Sequence, residues 1–219
     1  MQLQNLLRLQ QLGSANLPVG AYAFSQGLES AVEAGWLNSA EDVEGWLSVQ
    51  LRYALGRVDF PVYYRLREVL AGRHESSLQH WNDWLLACRE SREQRLCDTA
   101  TGEALARLLG NLNVPLVPVT EPAFLTLYAQ AAACWNLDED ASCAVYGWSW
   151  MENQVIAATK LLPLGQTRAQ QILDRLQGEI PRLLKTSRDL SDHDVGVSLP
   201  ALAISSCHHE TQYSRLFRS

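Results

Sequence analysis

The sequence predicts an all-α protein, folded as one domain over residues 1–219 with about nine or ten helices. Three observations carry this. Apolar residues recur at i, i+3, i+4 spacing along most of the chain. β-Branched residues are sparse, and no Asn-Gly or Asp-Gly hairpin dipeptide occurs. The 24.5 kDa chain is 47% hydrophobic and 19% charged, and a folded chain of that size buries roughly 70% of its unfolded surface, enough for a full core.

The elements follow in order. Leu3 to Leu12 is amphipathic and closed by Gly13, and Ser25 to Ala34 is closed by Gly35. Ser39 followed by Asp42 is a variant capping box. Val43, Trp46, Leu47, Leu51, Ala54, Leu55 and Val58 then keep helical spacing until Pro61, which is expected to break or kink the helix. A shorter helix runs on to Leu70 and stops at Gly72. Residues 76–109 hold one long or two stacked helices around a densely charged stretch, Arg89 to Arg95, read as a solvated or partner-facing helix face. Residues 111–119 form a loop, after which Thr120 is expected to cap a helix with Pro122 in its first turn. Acids at 138–140 open a helix over about 141–162 that is apolar almost all round, hence central. A helix over about 167–185 is expected to kink at Pro181. Residues 186–198 read as a mobile polar loop, and a last helix spans about 200–209.

Composition narrows the function. The net charge is −6, so no electrostatic footprint for nucleic acid or an anionic membrane exists. Of 18 basic residues only Lys160 and Lys185 are lysines. The five cysteines include no Cys-x-x-Cys pair, which argues against a disulfide framework and a four-cysteine zinc site. No secretory leader or membrane span is recognisable, and the expected compartment is the cytoplasm.

Catalytic templates fail. Neither glycine-rich phosphate cradle is present, and no Gly-x-Ser-x-Gly elbow occurs. His193-Asp194 resembles half of a metal pair, and Asp194 is the last aspartate in the chain. Cys207-His208-His209-Glu210 groups soft ligand types, but neighbours on a helix point about 100° apart and cannot all reach one ion. No bound metal and no cofactor are expected. A polar stripe on the central helix is more informative. Relative to Ser149, Asn153 lies at about 40°, Lys160 at about 20° and Glu152 at about 60° on the other side. This stripe is either a satisfied structural network or a partner groove, and Lys160, just before Leu-Leu-Pro-Leu-Gly-Gln, favours contact. In the tail, Tyr213, Leu216 and Phe217 have the spacing of an amphipathic helix with nothing left to pack on. Residues 211–219 are therefore expected to be mobile and to order on a partner, within a partner-binding tail over 210–219.

The stretch Asn16-Leu17-Pro18-Val19-Gly20-Ala21-Tyr22-Ala23-Phe24-Ser25-Gln26-Gly27-Leu28-Glu29 resembles the opening of the urease accessory protein F family. So do Ala31 to Trp36, Arg89 to Glu93, Gly147 to Trp150, Lys160 to Gln166 and the tail His209 to Phe217. The resemblance covers essentially the whole chain, departing at Cys207 and at His208, where Arg or Lys is the expected family residue. It implies a dimeric, non-enzymatic chaperone that binds accessory protein D (H in some bacteria) and recruits the GTPase accessory protein G. That assembly delivers nickel to apo-urease, coupled to GTP hydrolysis. The partner-contact residues expected on these grounds are Glu29, Arg89 and Arg92; Ser149, Glu152 and Lys160; and, in the tail, His209, Glu210, Tyr213, Arg215, Leu216 and Phe217. Three alternatives remain at this stage: an all-α metal-dependent hydrolase using His193, Asp194, His209 and Glu210; a direct nickel carrier; and a GTPase activator with Arg89, Arg92 or Arg95 as its finger.

Overall fold

A computed structural model describes residues 2–74 and 76–218. It is all-α, with no strand among the described residues. The helices are α1 (Leu3–Leu12), α2 (Leu28–Glu33), α3 (Ala40–Gln50), α4 (Phe60–Leu70), α5 (Leu78–Ala87), α6 (Arg92–Asn111), α7 (Phe124–Cys134), α8 (Glu139–Leu161), α9 (Gln166–Gln177), α10 (Ile180–Arg188) and α11 (Pro200–His209). As its apolar circumference predicts, α8 is central: α1, α2, α4, α9 and α10 pack on it. None of the described helices is long and apolar enough to cross a membrane.

Local signals hold where they are self-contained. Ser39 and Asp42 form the capping box of α3, Gly13 closes α1, and the Asp138 carboxylate accepts the Ala141 N–H at 2.8 Å to open α8. Gly20 takes the left-handed backbone (φ 77°) that its loop demands.

Pro61 does not break its helix. A π-helical segment, Leu51–Asp59, joins α3 to α4 in one continuous rod. The N–H that Pro61 lacks would have bonded the Arg57 carbonyl in α register or the Gly56 carbonyl in π register. Both carbonyls are satisfied from elsewhere: Ser187 Oγ donates to Gly56 at 2.6 Å, and Gly196 N–H to Arg57 at 3.0 Å. That pairing docks α10 and the segment after it onto the rod. The stretch expected to be a mobile polar loop is correspondingly structured: α10 reaches Arg188, Asp192 pairs with Arg65 at 2.8 Å, and Val195 is buried.

Other expectations are corrected. Of the one or two helices expected over 76–109 there are two, as the second alternative had it, but Cys88–Ser91 is the break between them, so the charged stretch is not one helix face. Thr120 does not cap α7. That role falls to the buried Asn82 of α5, whose Oδ1 accepts the Ala123 N–H and the Thr126 hydroxyl, each at 2.9 Å. The helix expected over 167–185 is two, parted at Gly178-Glu179, with Pro181 in the first turn of α10. The tail forms no helix.

The α6–α7 contact depends on one glycine. A Cβ on Gly102 would stand 2.0 Å from the Pro122 carbonyl oxygen, whereas one on Gly110 meets nothing within 4 Å. Gly102→Ala therefore forces two backbones apart and should cost at least about 1–3 kcal/mol. Gly110→Ala, on the exposed face of the same helix, should stabilise by about 0.4–1 kcal/mol. Urea unfolding of the two variants checks both signs.

Candidate functional site

His209, the last residue of α11, has 0% exposed surface. Its Nδ1 lies 2.8 Å from Glu93 Oε2 and its Nε2 3.0 Å from Glu29 Oε2. With both carboxylates ionised, an imidazolium satisfies this pattern by donating twice. Glu29 and Glu93 sit in the first turns of α2 and α6, where the helix dipole favours a negative charge. The start of α2 is set by Gln26 and Gly27, both left-handed (φ 52° and 84°). The α6 start is capped by Ser91, whose hydroxyl also hydrogen-bonds Ser206 Oγ at 2.6 Å. Ser205 Oγ donates to the Gly27 carbonyl at 2.6 Å, so α11 is tied to both helices that supply the acids.

The tail folds back over this cluster. Arg215 Nη1 reaches Glu93 Oε1 at 3.0 Å, which sets a guanidinium against that acid. The Leu216 and Phe217 N–H groups donate to Glu29 Oε1 and Oε2 at 2.6 and 2.9 Å. The Arg218 N–H donates to the Ala23 carbonyl at 2.7 Å. Within this strap Phe217 is 6% exposed, whereas Leu216 is 63% exposed and Tyr213 projects fully into solvent. Lys160 Nζ lies 5.5 Å from the centroid of the Phe217 ring, within cation–π range.

A family model described as UreF matches residues 37–177. Three proteins named urease accessory protein UreF align along nearly the whole chain. The one from Marinomonas sp. is 49% identical over 98% of this chain and 94% of its own length. That from Alkalilimnicola ehrlichii is 45% identical over 97% and 95%, and that from Hahella chejuensis 42% over 98% of each. The chain belongs to the UreF family. The motif resemblance read from the sequence and these alignments therefore agree on the family, and the alignments extend well beyond residues 37–177.

The structure brings Glu29, His209, Arg215 and Phe217 of the expected contact residues into one place, with Glu29, His209 and Phe217 buried and Arg215 exposed at the edge. Glu29 and His209 are buried, so neither is a free surface group, and the tail is docked where a mobile amphipathic helix was expected. Lys160, Tyr213 and Leu216 are exposed. Arg92 is exposed as well, and its backbone N–H donates to Glu210 Oε1 at 3.1 Å. The polar stripe divides. Ser149 lines a partly open pocket of about 80 Å³ with Asn153 and Gln154. Glu152 lies in the groove between α1 and α8, its carboxyl pushed up by burial. Lys160 stands alone at the helix end, without an ion pair among the described residues and apart from Glu152.

Arg89 is not an exposed finger. Its guanidinium lies between Asp59, 3.0 Å away, and Asp98, with 14% of the side chain exposed. Arg95 is paired with Glu121 at 2.7 Å. Glu93, Asp59 and Asp98 were not anticipated. The acid two places after a helix-capping serine is the one local signal that marks Glu93.

The hydrolase constellation is not assembled. Both nitrogens of His209 are taken by glutamates, and Asp194 Oδ2 accepts the Ser191 hydroxyl at 2.7 Å. Among the described residues no group of three His, Cys, Asp or Glu side chains is arranged to hold a metal ion. Cys207 and His208 face solvent while His209 faces inward, so this run of ligand types is split by the helix period. Burial pushes the Cys97 thiol up to about 12, away from the thiolate that nucleophiles and metal ligands require.

Arg89→Met would leave Asp59 and Asp98 without their shared cation. It should lower unfolding stability by about 3–5 kcal/mol. Arg92→Ala, at an exposed position, should stay within about 0.5 kcal/mol of the parent. Urea unfolding of both variants separates the structural arginine from the surface one.

Proposed function

We propose that this chain is a urease-maturation chaperone: a non-enzymatic, cytoplasmic, homodimeric adaptor. With accessory protein D or H it recruits the GTPase accessory protein G to apo-urease for GTP-dependent nickel insertion, and it regulates that GTPase. Membership of the UreF family supports the maturation role. Failure of every catalytic template supports an adaptor over an enzyme. The observation that carries the contact assignment is the juxtaposition of a lone exposed lysine, Lys160, with a strap whose outer residues, Tyr213 and Leu216, have no packing of their own. An exposed cation beside apolar side chains suits a partner surface with an acidic group and an apolar seat. Self-association is supported by the apolar face that α1 leaves open at Leu3, Leu6 and Leu7.

Lys160→Ala should leave folding stability within about 0.5 kcal/mol of the parent, because the residue is exposed. The dimer should persist while recruitment of the GTPase and urease activation are lost. Co-purification with tagged accessory proteins, run beside thermal denaturation, reads both. A large fall in melting temperature would make Lys160 structural and remove it from the partner surface.

The tail needs a finer test than truncation, because removing it would also take the Leu216 and Phe217 N–H groups from Glu29 and Arg215 from Glu93. Tyr213→Ala together with Leu216→Ala alters only exposed side chains. The double variant should keep its unfolding curve and bind accessory protein D or H at least about tenfold more weakly, the equivalent of about 1.4 kcal/mol. Unchanged affinity would take these residues out of the interface.

A further inference from the structure

The loop between α6 and α7 is apolar where a surface connector is ordinarily polar, and a run of exposed apolar residues in a loop points to a use. Residues 114–119, Val-Pro-Leu-Val-Pro-Val, carry no charge and run without turn or bend. Two prolines three places apart stiffen the segment. Each fixes its own φ at about −65°, and each confines the residue before it, Val114 or Val117, to extended backbone. The buried Gln130 of α7 holds the middle. Its Oε1 accepts the Val117 N–H at 2.7 Å, and its Nε2 donates to the Val117 carbonyl at 3.1 Å. Val114 is buried at one end. The other side of the segment is open. Pro115 and Pro118 are exposed, and Val117 is 52% exposed. The carbonyls of Pro115, Leu116 and Pro118 meet no donor among the described residues.

We propose that residues 114–119 are a preformed docking segment for an aromatic-lined groove on a protein partner. A stiff extended chain with three residues per turn sets Pro115 and Pro118 on one edge. Such a proline edge packs on aromatic rings, and a groove of that kind, with a Trp or Tyr N–H or O–H, also supplies donors for the free carbonyls. The segment has no charge to pair, so its seat is apolar and neutral. Because the prolines and Gln130 fix the conformation before contact, little ordering entropy is lost on binding. The surface is separate from Lys160 and the strap. α6 begins at the His209 cluster and ends at this loop, and its 20 residues span about 30 Å. That the groove belongs to one of the maturation proteins rests on the proposed function; the shape and stiffness of the segment do not.

Valine-methyl NMR of the intact chain reads the contact. Val117→Thr, which alters only an exposed side chain, assigns the signal by its loss. Accessory protein D or H, accessory protein G and apo-urease are added in turn as probes. With the partner that carries the groove, ring current should move the Val117 methyl resonances upfield. Pro115→Ala together with Pro118→Ala should leave unfolding cooperative and weaken that partner's binding at least about tenfold. Val117 methyls unmoved by all three proteins overturn the proposal, as does a double variant that binds each of them like the parent. An upfield shift that grows with the concentration of this chain alone makes the occupant a second copy and also overturns it. Co-purification separates this result from the proposed function. Partners retained without movement at Val117 remove the segment and leave the adaptor reading standing. Movement at Val117 with GTPase recruitment unaffected by Lys160→Ala keeps the segment and removes Lys160.

Discussion

The arrangement depends on a buried imidazole held between two buried carboxylates. Transferring two acids into the interior costs several kcal/mol per charge unless each is paired and hydrogen-bonded. Here that compensation comes from four separate parts of the chain. The His209 ring serves both acids, Arg215 serves Glu93, and two backbone N–H groups of the strap serve Glu29. The first turns of α2 and α6 add favourable dipole ends. Because each acid is satisfied only when α2, α6, α11 and the strap are all in place, the cluster specifies how these elements sit together. Its partners lie up to 188 residues apart in sequence, so it forms only in the completed fold.

The same logic of distant satisfaction recurs. Pro61 strips the α3–α4 rod of a hydrogen bond, and the two exposed acceptors are filled by Ser187 and Gly196. A residue that would ordinarily stop a helix becomes an attachment point for α10 and the segment following it. Asn82 performs a comparable service at the start of α7, standing in for a cap within the chain's own approach to that helix. Arg89 binds Asp59, next to the start of α4, and Asp98 of α6 around one guanidinium. In each case a polar group closes an account opened elsewhere in the sequence, and an apolar core fills the space between.

This explains which parts of the fold were legible in the sequence. Features decided within one turn were read correctly: the Ser39–Asp42 box, Gly13 after α1, the acids opening α8, and the span of α11. The continuity of the rod through Pro61 was not legible, because the groups that permit it are far away. Thr120 looked like a cap because the competing acceptor, Asn82, lies on a different helix. The candidate site was half legible. Family resemblance marked Glu29, Lys160 and the tail, but charge pattern alone suggested solvated side chains, and the structure buries Glu29, His209 and most of Arg89. The Tyr213, Leu216, Phe217 spacing mimicked a helix, whereas the chain bends there without forming one, and of the three only Phe217 turns inward. Glu93 was hidden inside a run of mixed charge whose outward appearance was that of a surface.

The central claim is that the strap is docked in the free chain by the Glu29 carboxylate. Amide hydrogen exchange of the isolated protein, followed by NMR at neutral pH, tests it directly. Leu216, Phe217 and Arg218 should exchange slowly, since each N–H has a defined acceptor, while Tyr213 and Arg215, whose N–H groups meet no acceptor among the described residues, should exchange freely. Exchange of Leu216 and Phe217 at the rate of an unstructured peptide would contradict the account, leaving Glu29 buried without the strap's two N–H donors and Lys160 without its seat.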